Sequence, residues 1–197
     1  MPDIACLNGI FQPLDEARVP VNDRGYLFGD GVYEVVRTYH GQPFLLDHHL
    51  DRFDTSLSQV RIRPEWDRAT LGDWIAEAID RAGYADTKVY VQVTRGVAPR
   101  DHPFPDVAPT TLITATEIHP VGKALVASGV YAISTPDIRW GRCDIKSLNL
   151  LPNVMARQAA REAGAFEAIF FDPDTGAVRE GSASNVCCVI DGTVTRR

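Results

Sequence analysis

Between residues 50 and 94 the apolar residues change period, and that change dictates a chain of mixed helix and strand. Leu50, Phe53, Leu57 and Val60 recur every three or four positions, the spacing of one buried helical face. Asp47 stands just ahead of them as the expected N-cap. Leu71, Trp74, Ile75, Ala78 and Ile79 mark a second amphipathic helix that stops at Gly83. From Lys88 to Thr94 the period falls to two, with Val89, Val91 and Val93 alternating with Tyr90 and Gln92. Such alternation builds a half-buried strand, so helices packed on one side of a sheet are the natural product.

The flanking segments extend this pattern. Asn8-Gly9 joins Ile4–Leu7 to Ile10-Phe11 as a two-residue hairpin turn whose residues must both accept positive φ. Val32–Tyr39, His40-Gly41 and Gln42-Pro43-Phe44 read as a second hairpin. The stretch from Arg95 to Pro105 is too long and too rich in Pro and Gly for a mere strand connection. Thr110–Glu117 is the next expected strand, and Ile118–Lys123, with Pro120 and Gly122, is the expected linker. Beyond it, strands are expected near Ala124–Val126 and Val130–Ser134. A helix is expected from Asn149 or Leu151 to Gly164, with Pro152 in the first turn, where a missing amide costs nothing. Phe166–Phe171, Ala177–Glu180 and Asn185–Ile190 follow as strands, and Asp191-Gly192 is a hairpin signal with only Thr193–Arg197 after it.

Composition excludes several classes. A formal net charge of −6, with charges of both signs interspersed, offers no clustered basic face for nucleic acid. No apolar run approaches the length of a membrane span, and the start lacks the basic-then-apolar pattern of a signal peptide. Cys6, Cys143, Cys187 and Cys188 show no metal-ligand spacing and imply reduced thiols in a reducing compartment such as the cytoplasm.

Among residues able to carry chemistry, the lysines are few: Lys88, Lys123 and Lys146. Lys146 lies among apolar neighbours just ahead of a helix, surroundings that disfavour an ammonium and release a nucleophilic amine. A snorkelling surface lysine has the same spacing, so position alone leaves both readings open. Glu180 ends a strand ahead of the small run Gly181–Asn185, as a solvated strand-end charge or as an acid facing a cation. Arg52 lies on a helix, as a surface charge or an anion ligand. Arg100 and His102 flank Asp101, so in an extended loop both point to one side, an arrangement suited to a carboxylate trap or to nothing more than a mobile loop. Tyr33 sits on a strand.

Five stretches containing these residues resemble the class IV aminotransferases, most of all the D-amino-acid transaminases. They are Asp23-Arg24-Gly25-Tyr26-Leu27-Phe28-Gly29-Asp30-Gly31-Val32-Tyr33-Glu34, Leu46-Asp47-His48-His49-Leu50-Asp51-Arg52, Thr94-Arg95-Gly96 through Arg100-Asp101-His102, Asp144-Ile145-Lys146-Ser147-Leu148-Asn149 with Pro152-Asn153, and Glu180-Gly181-Ser182-Ala183-Ser184-Asn185. The resemblance implies an α+β fold of two domains, the pyridoxal-phosphate-dependent fold type IV. Residues 1–117 would form an N-terminal α/β domain, 118–123 the linker and 124–197 an incomplete cofactor-binding domain. It further implies pyridoxal 5′-phosphate held by Lys146 as a Schiff base, with Arg52 on the phosphate and Glu180 on the pyridine nitrogen. Tyr33, Arg100 and His102 would grip the substrate carboxylate, the last two reaching across a homodimer, and no metal is implied. The reaction would move an amine from a D-amino acid such as D-alanine to a 2-oxo acid such as 2-oxoglutarate. An aminodeoxychorismate lyase or a branched-chain L-amino-acid transaminase shares the fold, and a non-catalytic interaction module is the alternative of another class. Members of this family continue past the Asp191-Gly192 hairpin, so the chain is expected to be a C-terminally truncated form with impaired folding or activity.

Overall fold

The structure, a computed structural model, describes residues 3–196. The chain divides into two compact units, Met1–His119 with Arg142–Leu148, and Pro120–Gly141 with Asn149–Arg197.

The first unit begins with the hairpin β1 (Ile4–Leu7) and β2 (Ile10–Pro13), where Asn8 and Gly9 adopt the positive φ values that the turn demands, 51° and 83°. A short helix α1 (Arg24–Phe28) follows, capped by the Asp23 side chain, which accepts from the Gly25 amide, and ended by Gly29 at φ 66°. Strands β3 (Gly31–Tyr39) and β4 (Gln42–Pro43), helices α2 (Leu46–Val60) and α3 (Arg68–Ala82), and strands β5 (Thr87–Thr94) and β6 (Thr110–Glu117) complete it. The sheet order is β2-β1-β6-β5-β3-β4, antiparallel throughout.

The expected alternation sets the core. Val32 and Val36 of β3, Val89, Val91 and Val93 of β5, and Ile113 of β6 are buried with Leu50, Phe53, Leu57, Leu71, Ile75 and Ile79 of the two helices. Each such side chain contributes about 1.5–3 kcal/mol on leaving water, the main force holding the helices to the sheet. Asp47 does not cap α2. Leu45 occupies the cap at φ 52° without a side-chain bond, because the His49 amide already bonds to the Leu45 carbonyl and starts the helix earlier. The Asp47 carboxylate meets Arg68 at 3.2 Å instead.

The second unit holds α4 (Lys123–Ser128), β7 (Ala132–Pro136), α5 (Leu151–Glu162), β8 (Glu167–Phe171), β9 (Val178–Gly181), β10 (Cys187–Ile190) and β11 (Thr193–Arg196). Ala124–Val126, expected as a strand, is helical: the amides of Leu125 and Val126 both turn back to the Gly122 carbonyl, and the run has no polar–apolar alternation to favour a sheet. β7 and β8 are parallel, β8 and β9 antiparallel, and β10–β11 form a separate hairpin. Ala156 and Ala160 of α5 let the helix approach Ala168 and Phe170 of β8 closely. Pro152 lies in the first turn of α5, as expected. Among the described residues, no helix is long and apolar enough to cross a membrane.

Candidate active site

Lys146 is placed by the edge of a sheet. The segment Arg142–Leu148 lies along the start of β3, where the Tyr33 amide donates to the Lys146 carbonyl (3.0 Å) and the Leu148 amide to the Gly31 carbonyl (3.1 Å). The Lys146 amide itself donates to Oγ of Ser56, a buried hydroxyl on α2 (3.2 Å), and Ile145 anchors the segment in the apolar core. Only Gly fits opposite: a Cβ on Gly31 would lie 2.5 Å from the Val93 carbonyl oxygen and 2.8 Å from the Leu148 side chain. With its backbone fixed at these points, the half-buried Lys146 side chain lays Nζ 4.4 Å from the centre of the Tyr33 ring. Tyr33 leans on Tyr90, centroids 5.6 Å apart, and the Tyr90 hydroxyl donates to Gln92 at 2.6 Å. Burial first, and then the neighbouring Tyr33, pushes the Tyr90 hydroxyl up to about 12, so Tyr90 stays a neutral donor at any ordinary pH.

One position along β3, Glu34 turns to the opposite face and is 2% exposed. Arg52 of α2 grips it with two bonds, Nε to Oε1 at 2.5 Å and Nη2 to Oε2 at 2.7 Å, and His49 Nδ1 lies 2.8 Å from Oε2. The acid fixes one edge of the Arg52 guanidinium, while 48% of the side chain stays in contact with water.

Arg100 and His102 gather around Phe28 of α1. The Arg100 guanidinium lies 5.2 Å from the Phe28 ring centre and the His102 ring 5.4 Å from it. Both side chains are exposed.

Glu180, in the second unit, is the next-to-last residue of β9, opposite Phe170, and accepts from Arg139 Nη1 at 2.7 Å. Asp137 holds the same arginine, whose hydrogen bonds keep the Asp137 carboxyl below its ordinary range. The turn after Glu180 is built on Glu167, which accepts from Ser182 Oγ, Ser184 Oγ (2.8 Å), and the amides of Ala168 (2.8 Å) and Ala183 (3.3 Å). Arg139, Arg179, Glu180, Val186 and Arg196 line a cleft on this unit.

The structure thus brings Tyr33 to Lys146, and Arg100 to His102, while Arg52 is held by an acid adjacent in sequence to Tyr33. Glu34, Ser56 and Glu167 escaped sequence reasoning. Glu34 had a usable signal, an acid between Val32 and Val36 at a core-facing position of an alternating strand; Ser56 and Glu167 had none comparable. Among the described residues, no three His, Cys, Asp or Glu side chains converge as a metal site.

A family model for amino-transferase class IV matches residues 31–196. The D-alanine aminotransferase of Bacillus licheniformis is 45% identical over 181 residues, 91% of this chain and 62% of that protein. That of Staphylococcus epidermidis is 40% identical over 189 residues, 95% of this chain and 66% of that one. The chain therefore spans just under two thirds of these curated relatives. Among solved structures, a T.th. branched-chain amino acid aminotransferase with pyridoxamine 5′-phosphate superposes with a TM-score of 0.84 at 27% identity, over 97% of this chain and 66% of that one.

Proposed function

Since the chain belongs to the class IV aminotransferase family, we propose that it takes part in transamination between a D-amino acid such as D-alanine and a 2-oxo acid such as 2-oxoglutarate, with pyridoxal 5′-phosphate as cofactor. The observation that carries this reading is the half-buried Lys146 with Nζ over the Tyr33 ring, its backbone held by β3 on one side and Ser56 on the other. Taken one by one, the proposed residues have the chemistry that such a cofactor calls for. Lys146 offers an amine to bind its aldehyde carbon, and Arg52 keeps about half its side chain in solvent for a phosphate. Glu180 offers a carboxylate, still 39% exposed, to a ring nitrogen.

When bound, the cofactor supplies the conjugated system into which the electrons of the broken Cα–H bond spread. The protein supplies the rest. Once the substrate amine has displaced it, Lys146 Nζ would be free to take the proton from the substrate Cα and hold it for the return transfer, so a single base would serve both. Tyr33, Arg100 and His102 hold the α-carboxylate and thereby choose which face of Cα meets Lys146, the geometric basis for D over L. In this reading the chain forms a homodimer, with Arg100 and His102 serving the neighbouring site, and works in the cytoplasm. The 40–45% identity to D-alanine aminotransferases, against 27% to the branched-chain enzyme, favours the D-amino acid over the L-leucine reading.

The test is to load the purified chain with pyridoxal 5′-phosphate and offer D-alanine with 2-oxoglutarate, L-leucine with 2-oxoglutarate, and aminodeoxychorismate in parallel. Turnover of D-alanine, and a near-visible absorbance band that vanishes in Lys146→Ala, is the expected result. Turnover confined to either of the other substrates, or a band and activity that persist without Lys146, would overturn the assignment.

A further inference from the structure

The segment between β5 and β6 looks like a free loop in sequence, and the structure pins it at every turn. Its base is pinched shut: Gly96 sits at φ 104°, and a Cβ there would lie 2.1 Å from the Ala108 carbonyl oxygen. The Arg24 amide donates to the Gly96 carbonyl (2.9 Å) and the Ala98 amide to the Asn22 carbonyl (3.2 Å). The guanidinium groups of Arg95 and Arg61 lie 3.5 and 4.7 Å from the centre of the Phe104 ring.

At the centre lies an ionic group almost closed to water. Arg24 and Arg95 are 3% and 6% exposed. Both donate to Asp30, Arg24 through Nε (2.8 Å), Arg95 through Nε (2.8 Å) and Nη2 (2.9 Å). Burial alone would raise the Asp30 carboxyl, yet the hydrogen bonds from these two arginines hold it below its ordinary range. Arg95 directs its other donors to the Val60 and Arg61 carbonyls at the end of α2. Arg24 directs its own to the carbonyls of Asp101 and His102.

We infer that Arg24 and Phe28 of α1 are positioning residues for substrate carboxylate recognition, holding Arg100 and His102 as one preformed unit. Arg24 draws the two backbone carbonyls at Asp101 and His102 inward, which fixes the rotation of the chain between them. Phe28, one helical turn on and itself 4.8 Å from the Arg24 guanidinium, is the ring on which the Arg100 and His102 side chains both rest. Stability alone does not explain the arrangement, since buried ion groups are commonly matched or bettered by apolar packing of the same volume. Preorganisation does: a loop already ordered gives up little entropy when it captures a carboxylate. The inference rests on the proposed roles of Arg100 and His102.

The experiment compares Arg24→Lys, Phe28→Leu and Arg100→Met with the parent, by amide hydrogen exchange of residues 97–107 and by KM and kcat for D-alanine and 2-oxoglutarate. Lysine keeps a positive charge beside Asp30 but cannot bond the acid and two carbonyls at once. Arg24→Lys and Phe28→Leu should exchange faster in 97–107 with β3 and β5 unchanged. KM should rise about tenfold for both substrates, because both carry a carboxylate, with kcat altered far less. Unchanged exchange in 97–107, or loosening spread evenly through the unit, overturns the inference, and so does an unchanged KM when Arg100→Met raises it. If Arg100→Met itself leaves KM unmoved, the carboxylate trap is the claim that fails, while faster exchange in Arg24→Lys still upholds the clamp.

Discussion

Replacing Glu167 by glutamine should cost the second unit a substantial part of its acid-sensitive stability. The Glu167 side chain is 9% exposed, and burial alone would push its carboxyl up. The hydrogen bonds from Ser182, Ser184, and the Ala168 and Ala183 amides outweigh that and hold it down from an ordinary 4.5 to about 2. A carboxyl held below its unfolded value stabilises the folded state at every pH above the unfolded value, and that stabilisation is lost as pH falls from about 4.5 toward 2. The size follows from the drop, roughly 3 kcal/mol at neutral pH. Glutamine keeps the shape but presents an amide NH2 on one side. Placed toward Oε2 it meets the Ala183 amide and the Ser184 hydroxyl, and placed toward Oε1 it meets the Ala168 amide and Ser182. Hydroxyl groups can rotate to accept, whereas a backbone amide cannot, so one donor faces a donor in either orientation. An unsatisfied buried donor costs about 1–3 kcal/mol, which agrees with the electrostatic figure.

The assay is denaturant unfolding at pH 7, 5, 4 and 3, followed by far-ultraviolet dichroism and by Trp140 fluorescence in variants with Trp66 and Trp74 replaced by Phe. The parent should lose stability steeply below pH 5, and Glu167→Gln should begin about 2 kcal/mol lower with a shallower slope. A variant as stable as the parent at pH 7, with the same slope, would refute the reasoning that these four bonds favour the ionised acid.

Two further outcomes follow from the first unit. Gly96→Ala should disrupt the β5–β6 loop, because φ 104° and the Ala108 carbonyl both exclude a methyl group; its melting temperature should fall and protease cleavage within 97–107 should rise. Glu34→Gln should weaken cofactor binding about tenfold, read by titrating the near-visible band, since a neutral amide holds the Arg52 guanidinium less firmly than the two charge-assisted bonds at 2.5 and 2.7 Å.

The main elements of the first unit were legible because each follows from local chemistry. Asn8-Gly9 and His40-Gly41 carry the positive φ of their turns, and Val89, Val91 and Val93 face the core that their alternation assigns. The short helix α1 was not legible: five residues, Arg-Gly-Tyr-Leu-Phe, show no full apolar period, and its cap at Asp23 is recognised only once Gly25 bonds to it. Likewise Ala124–Val126 could be read as a strand because three apolar residues fit either period, and backbone bonds to Gly122 decide. Lys146 was conspicuous as one of three lysines, but its anchoring was not, because Ser56 and Gly31 are distant in sequence and meet its segment only through the tertiary fold.

Three of the acids share a logic. Glu34, Asp30 and Glu167 are carboxylates drawn out of water, and each takes several charge-assisted or amide bonds from groups next to a candidate site residue. Glu34 holds Arg52 from the strand that carries Tyr33; Asp30 holds the arginine whose other donors fix the backbone at His102; Glu167 holds the turn that follows Glu180. An apolar residue of equal volume would fill each space, often at no loss of stability, but it would leave the neighbouring arginine or turn free to rotate. The proposed chemistry, which would depend on holding an amine, a phosphate ligand and a carboxylate trap to within fractions of an ångström, would not tolerate that freedom, and directional bonds to a buried acid are the means by which a fold removes it.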